Sequence, residues 1–354
     1  METEETMHYM QLPREVIVGV SILDKVGEIC TRLGFRGNAL LVSGPITYPL
    51  AGVGVAKSAT KSGLHVDHII VKESTEASLN QIIEAIKKSR PSIVLAVGGG
   101  KDIDLGKLAS AKASVPFMSI PTAASHDGIA SPYASIKGGP KPYSIRAQAP
   151  VAIIGDIGLI AGSPYELLAA GCGDIVAKFS AVKDWQLAHK LKNEYYGDYA
   201  AELALMSAEL VTRNSKEIIQ RSPEGVRTVV EALISCGVAM SIAGSSRPCS
   251  GAEHLFSHAL DIVAGETSLH GGRTGVGAIM CAYLHGSNWE SIKEFLQEIG
   301  APSTAKELRV SPQQVVKALS MAHSLRPERY TILGETGVTE AAAEKVARAT
   351  GVIG

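Results

Sequence analysis

The run Val94-Leu95-Ala96-Val97-Gly98-Gly99-Gly100-Lys101-Asp102 constrains this chain more than any other feature. An apolar run that ends in three glycines, with a helical pattern over 103–113, calls for a strand, a bare-backbone turn and a helix N-terminus in quick succession. That arrangement is a diphosphate cradle: N–H groups approach phosphate oxygens and the helix dipole favours the anion. The spacing is neither G-x-G-x-x-G nor a Walker loop, because no Gly-Lys-Ser or Gly-Lys-Thr follows. A plain glycine turn explains the same residues, so the neighbouring segments have to decide.

Buried-strand runs occur at 38–43, 65–71, 92–97, 116–120 and 150–154, with helical patterns between most of them. This is the βα spacing of a parallel sheet. Two short runs over 131–146 flank Gly138-Gly139-Pro140 and predict an inserted hairpin. From about residue 164 strand signals nearly vanish. Helical periodicity covers 174–190, 195–220, 224–243, 251–263, 287–299, 311–323 and 339–349. The expected fold is an α/β Rossmann-like domain with a parallel sheet over 1–160, which binds a dinucleotide. A helical, metal- and substrate-binding domain over 161–354 would follow, with a cleft between the two.

Composition narrows the partners. Lys and Arg total 34 against 35 Asp and Glu, and aromatic residues are 5%. A charge that balanced argues against nucleic acid or an anionic membrane as the partner, and few aromatics argue against base stacking. Five cysteines without a C-x-x-C pair exclude a zinc ribbon and make a disulfide framework improbable, so a reducing cytoplasm is expected. The N-terminus carries no apolar signal-like segment. The charge-free stretch between Arg273 and Trp289 falls short of a membrane span.

A second loop, Pro121-Thr122-Ala123-Ala124-Ser125-His126-Asp127, follows the fourth run. Loops at the carboxyl ends of parallel strands line the ligand crevice. Thr122 and Ser125 suit a cofactor and Asp127 a substrate hydroxyl, although a cap and a turn use the same residues. In the helical half, His254 and His258 share one helix face and His270 follows. Three histidines this close suggest metal ligation or proton transfer over core histidines bonded to carbonyls. Asp174, expected at a helix start after a glycine turn, is the best carboxylate to join them. An N-cap is its competing role, and Asp261 and Glu266 are weaker ligand candidates. Cys172 and Cys249 read as structural.

Gly98-Gly99-Gly100-Lys101-Asp102-Ile103-Asp104-Leu105-Gly106-Lys107 resembles the G-G-G-x-x-x-D-x-x-K signature of a superfamily. Its members include glycerol dehydrogenase, dehydroquinate synthase and the iron-containing alcohol dehydrogenases. Segments 119–132, 168–174 and 250–254 are most similar to the archaeal-type sn-glycerol-1-phosphate dehydrogenases, and the likeness runs from about residue 13 to 285. It implies the dehydroquinate synthase-like architecture. It also implies reduction of dihydroxyacetone phosphate to sn-glycerol 1-phosphate, the backbone of archaeal membrane phospholipids, with NADH or NADPH. Carried over by residue, Gly98, Gly99, Gly100, Lys101 and Asp102 hold the cofactor diphosphate, and Thr122, Ala123, Ala124, Ser125 and Ser131 complete its site. Asp174, His254 and His270 bind one zinc per subunit, Asp127, Asp174 and His258 contact substrate, and His258 and Asp127 are the catalytic candidates. A homo-oligomer is expected.

Two departures from the pattern matter. Lys178 stands where iron-dependent relatives carry a further histidine, which favours zinc. His270 is followed by Gly271-Gly272-Arg273 rather than H-G-E or H-G-H, which places a cation near the site. The segment Ser43-Gly44-Pro45 after the first strand run offers no acid to a ribose, so NADPH is expected beside NADH. Lys137, Lys141, Arg146, Arg247 and Arg273 are the candidates for the substrate phosphate, and the sequence does not choose among them. The rival readings are a glycerol dehydrogenase acting on unphosphorylated polyols, a dehydroquinate synthase-type lyase and a binding protein without turnover.

Overall fold

The computed structural model describes residues 8–136, 145–265 and 267–354. Six parallel strands form one sheet: β1 (Glu15–Gly19), β2 (Asn38–Ser43), β3 (His65–Ile70), β4 (Ile93–Gly98), β5 (Phe117–Pro121) and β8 (Ala152–Asp156). Their order is β1-β8-β5-β4-β2-β3. The central strands β4, β5 and β8 are buried throughout, as continuous apolar runs in a doubly covered parallel sheet must be. The edge strand β3 is largely exposed, so its alternation of His and Asp with aliphatics costs little.

β1 is absent from the sequence expectation. Its five residues pair in parallel with β8, Glu15 opposite Ala152 and Gly19 opposite Asp156. Such an edge strand gains its place from a partner far along the chain, which local pattern does not reveal. The hairpin is present as two short antiparallel strands, β6 (Tyr133–Ala134) and β7 (Ile145–Arg146). Its expected turn, Gly138-Gly139-Pro140, lies outside the described residues.

The chain leaves β2 toward β3 on one side and returns to β4 on the other. The crevice at the carboxyl ends of β2 and β4 is therefore a topological switch point, where open α/β sheets hold ligands. The helix Gly100–Lys112 starts directly at that crevice, three residues before the expected start. It lies close on the sheet because Gly106 faces Ala96, where an added Cβ would sit 2.8 Å from the Ala96 side chain.

After Ala161 every described element is a helix. One hydrophobic cluster runs from Val42, Val94 and Ala96 on the sheet through Val229 and Leu233 to Ile279 and Leu319, so the sheet and the helical half share a core. The expected helix over 195–220 divides at Asn214 into Asp198–Arg213 and Ser215–Ile219. Pro223–Ala243 is long and apolar enough to cross a membrane, a property the sequence reading sought only between 273 and 289. It is mostly buried within the helical half.

Two further corrections bear on the site. Asp174 is not an N-cap: the helix begins at Tyr165 and Asp174 lies in its last turn, sealed from solvent. His270 opens an unexpected helix, His270–Leu284, whose four glycines and histidine masked its periodicity. Those glycines have a packing role. A Cβ on Gly271 would meet the Ala170 carbonyl oxygen at 1.7 Å, and one on Gly173 would meet the Gly271 oxygen at 2.3 Å. The two helices touch backbone to backbone, and this contact brings Asp174 beside His270.

Candidate functional site

A cavity of about 730 Å³ lies between the switch point and the helical half. Gly100, Lys101, His126, Asp127 and Ser131 form one side of it. His254, His258, His270 and Arg273 form the other.

One ligand atom from each of Asp174, His254 and His270 lies within 4.8 Å of the other two. His254 comes from the first turn of Ala252–Ala264, His270 from the first residue of its helix and Asp174 from the last turn of its own. Two imidazoles and a carboxylate are a donor set that fits a borderline divalent cation. His254 Nε2 faces Asp174 Oδ1 at 3.4 Å, and its Nδ1 is 2.8 Å from Glu253 Oε1. Glu253 is wholly buried and also accepts from Gly251 N–H (2.6 Å) and Ser180 Oγ (2.9 Å). A carboxylate behind a histidine ligand fixes its tautomer and raises its basicity. The sequence reading passed over Glu253, because an acid in a first helical turn also suits the helix dipole. Farther back, buried Asp184 accepts from Ala252 N–H (2.7 Å) and Ile332 N–H (2.6 Å) and pairs with His285 (2.9 Å). The start of the His254 helix is thus tied down from two directions.

Lys178 stands one helical turn beyond Asp174. Its buried ammonium lies 3.0 Å from Asp174 Oδ1 and 2.8 Å from Asp127 Oδ2. The Asp127 N–H donates to Asp174 Oδ2 at 2.8 Å, so the two acids and Lys178 form one unit. Burial opposes ionisation of Asp174, but Lys178 and then His254 hold its carboxyl well below the usual range. Burial also pulls His254 down, yet its bonds to Asp174 and Glu253 carry it up to about 9. Without a metal, His254 is therefore a cation bridging two carboxylates. His258 is pushed down to about 3 by burial and by the charges of His254 and Arg273. His270 falls well below its usual value for the same leading reasons. Both are neutral rings at pH 7, and a neutral imidazole offers one donor and one acceptor. Their ring centroids are 5.9 Å apart.

On the opposite side, Gly99 has open space where a side chain would begin, while His126 Nε2 lies 1.7 Å from the Cβ position of Gly100. Asp102 departs from its expected role facing the cofactor. Its carboxylate turns beneath the loop, accepts from Thr47 Oγ1 (3.1 Å) and packs against Gly44 and Gly98. Burial raises its pKa. Lys101 lines the cavity and donates to the Lys72 carbonyl. Thr122, Ala123 and Ala124 are buried and do not line the cavity, and Thr122 N–H bonds Gly98 O at 2.9 Å, which couples the two loops. Ser125 is half-buried at the entry to the His126 turn. The motif residues Asp104 and Lys107 hold the hairpin in place. Lys107 Nζ, wholly buried, meets Asp104 (3.0 Å), Gly128 O (2.7 Å) and Tyr133 O (2.5 Å), and Asp104 accepts from Ser135 N–H.

Among the proposed phosphate cations, Arg247 is turned away. It is buried, forms a two-pronged ion pair with Glu194 and bonds the Tyr330 carbonyl. Arg146 is exposed on β7. Arg273 lines the cavity but pairs with Asp261 at 3.1 Å and bonds the Ser268 carbonyl, and Asp261 stands outside the Asp174–His254–His270 group. Lys137, Lys141 and Glu266 lie outside the described residues. The thiols of Cys172 and Cys249 are buried and pushed up by that burial, away from ligand chemistry.

Comparison with known proteins gives three findings. Residues 17–164 match the family model described as iron-containing alcohol dehydrogenase. Over 98% of its length the chain is 52% identical to glycerol-1-phosphate dehydrogenase [NAD(P)+] of Thermococcus sibiricus, covering 99% of that protein. It is 50% identical to the enzyme of the same name from Methanosarcina mazei, over 98% of this chain and 97% of the other. Among solved structures, a probable glycerol dehydrogenase from Sinorhizobium meliloti superposes with a TM-score of 0.79 at 19% identity, covering 97% of this chain and 98% of that one. Glycerol dehydrogenase from Schizosaccharomyces pombe gives 0.81 at 17%, covering 97% and 90%. At such identities these two structures speak for the fold alone.

Proposed function

The chain belongs to the glycerol-1-phosphate dehydrogenase family, and from that premise we propose that it reduces dihydroxyacetone phosphate to sn-glycerol 1-phosphate with NADH or NADPH. The observation that carries the reading is the meeting of two half-sites across one cavity. The glycine loop at the switch point faces the Asp174–His254–His270 cluster. The reaction adds a hydride to C2 of the ketone and a proton to its oxygen, leaving NAD(P)+.

The roles divide by side of the cavity. The Gly98–Gly100 backbone and the start of Gly100–Lys112 receive the diphosphate, and Thr122–Ser125 with Ser131 complete that side. Asp174, His254 and His270 would hold zinc, with Lys178 in place of a further imidazole arguing against iron. When bound, the metal supplies Lewis-acid polarisation of the substrate carbonyl. Asp127, held by Lys178 and by its own N–H to Asp174, orients the substrate hydroxyl. Neutral His258 donates its ring N–H toward the same substrate. The product is the glycerophosphate backbone of archaeal membrane lipids.

A division near residue 160 follows the change from sheet to helices after Asp156. Five free, buried cysteines suit a reducing cytoplasm. Exposed Tyr199, Met206 and Leu210, spaced along one face of Asp198–Arg213, support a homo-oligomer.

The test is the initial rate of NADPH oxidation with dihydroxyacetone phosphate beside dihydroxyacetone, on protein of measured metal content. Turnover on the phosphate is expected. Preference for the unphosphorylated ketone would move the assignment to a glycerol dehydrogenase. No oxidation with either would remove the dehydrogenase reading.

A further inference from the structure

Arg273 lines the cavity near His258 while Arg247, Arg326 and Arg329 cluster beside it, and three of these four arginines have a carboxylate partner. Arg247 pairs with Glu194, Arg273 with Asp261 and Arg326 with Glu328. Arg329 has none within ion-pair distance among the described residues. It is nonetheless buried, at 6% exposure. Its two hydrogen-bonded groups are neutral: Nη1 donates to the Ser250 carbonyl and Nη2 to Ser246 Oγ at 2.8 Å. Two of five guanidinium N–H groups are thereby used. Ser246 and Ser250 both line the cavity, so the guanidinium stands one side chain behind its wall.

A buried cation without a counter-charge is costly, so an anion that arrives beside it relieves that cost. Desolvation, and then the neighbouring Arg326 and Arg247, pull Arg329 down to about 9, against a smaller upward pull from Glu194. The sequence offered Arg247 and Arg273 for this role, but each is already neutralised by an acid. A dianionic phosphate seated on Ser246 and Ser250 would meet the one arginine of this group without an ion-pair partner among the described residues. Its carbonyl end would then point along the cavity toward His258 and His254.

We propose that Arg329, with the Ser246–Ser250 wall it braces, forms the seat of the substrate phosphate and determines selection of a phosphorylated over an unphosphorylated ketone. This inference rests on the dehydrogenase reading above for the substrate's identity, but its test does not depend on turnover. Metal-loaded wild type, R329Q and R329K are compared in three measurements. These are KM for dihydroxyacetone phosphate, the dissociation constant of inorganic phosphate by calorimetry, and the dissociation constant of NADPH by fluorescence.

R329Q is expected to weaken the first two together, by about 30-fold or more, with NADPH binding held within about threefold. R329K should recover most of the loss. Unchanged phosphate affinity in a folded R329Q overturns the proposal, as does a parallel fall in NADPH binding, which marks a structural role. If R329Q does not fold, S246A, which keeps the guanidinium, should still weaken phosphate by severalfold, and no change there overturns the seat. A wild type that binds phosphate through Arg329 yet does not reduce dihydroxyacetone phosphate would remove the functional reading and leave the seat standing.

Discussion

Lys178 Nζ lies 3.0 Å from Asp174 Oδ1, four residues away along the chain, with both side chains sealed from solvent. The same ammonium reaches Asp127. One lysine therefore neutralises both the acid of the Asp174–His254–His270 group and the acid on the cavity wall.

Replacing Lys178 by Met leaves Asp174 and Asp127 without their shared cation. Breaking a buried pair from one side costs about 3–5 kcal/mol. Metal-free K178M should therefore melt far below metal-free wild type. A divalent cation would restore part of the positive charge beside Asp174, so the gap should narrow in loaded protein. Thermal melts with and without chelator decide this, and an equal gap in both would detach Lys178 from the ligand set.

The metal-free chain should be most stable near pH 6.5. His254 is held up to about 9 against about 6.5 unfolded, so its contribution is complete below about 6.5 and is lost as pH rises through 9. His258 is held down to about 3 and His270 also falls, so the unfolded chain takes up protons there that the fold refuses. Stability consequently declines as pH drops from about 6.5. Urea midpoints in chelator at about pH 5, 6.5 and 9 should trace a peak. A monotonic rise over that range would contradict the assignment of His254.

Glu253→Gln keeps the shape behind His254 and removes the charge that orients its ring. Metal affinity should fall by about 10–100-fold. Competition against a chromophoric chelator measures this directly. Wild-type affinity in the variant would show that Glu253 serves only the helix start, through its bond from Gly251 N–H.

The parts legible in the sequence were those with a local signature. Strand–glycine–helix at 94–112 and the central strands β2, β4 and β5 are short-range patterns, and they stand where periodicity puts them. His254 and His258 share a face because helical geometry dictates it. What escaped was set by partners distant in sequence. β1 exists through β8, and the helix at His270 exists because its glycines meet the backbone at Ala170 and Gly173. Asp174 looked like a cap because Gly171-Gly173 read as a turn, whereas those glycines are helical and permit the close crossing. Asp102 looked like a ligand residue, yet its carboxylate supports the loop from beneath. Arg329 carried no motif. Only its burial without an ion-paired acid among the described residues singles it out.

The glycine loop allows a contrast between two neighbouring positions. Gly99 has φ −77° and ψ −175°, a conformation open to any residue, and nothing lies within 4 Å of its Cβ position. Alanine there should leave the fold intact, with a melting temperature close to wild type. The added methyl would nevertheless project into the space where the diphosphate approaches the backbone, and NAD(P)H affinity should drop by about tenfold or more. Gly100 is the opposite case. Its Cβ would lie 1.7 Å from His126 Nε2, so G100A must displace the His126 ring or the helix start. His126 is anchored by the bond from Gly128 N–H to Nδ1 at 2.9 Å, and the same turn carries Asp127. G100A should therefore damage stability, substrate binding and cofactor binding together. Melting curves with NADPH titrations on both variants separate the cases. Unaltered cofactor affinity in a well-folded G99A would mean that the loop does not hold the diphosphate.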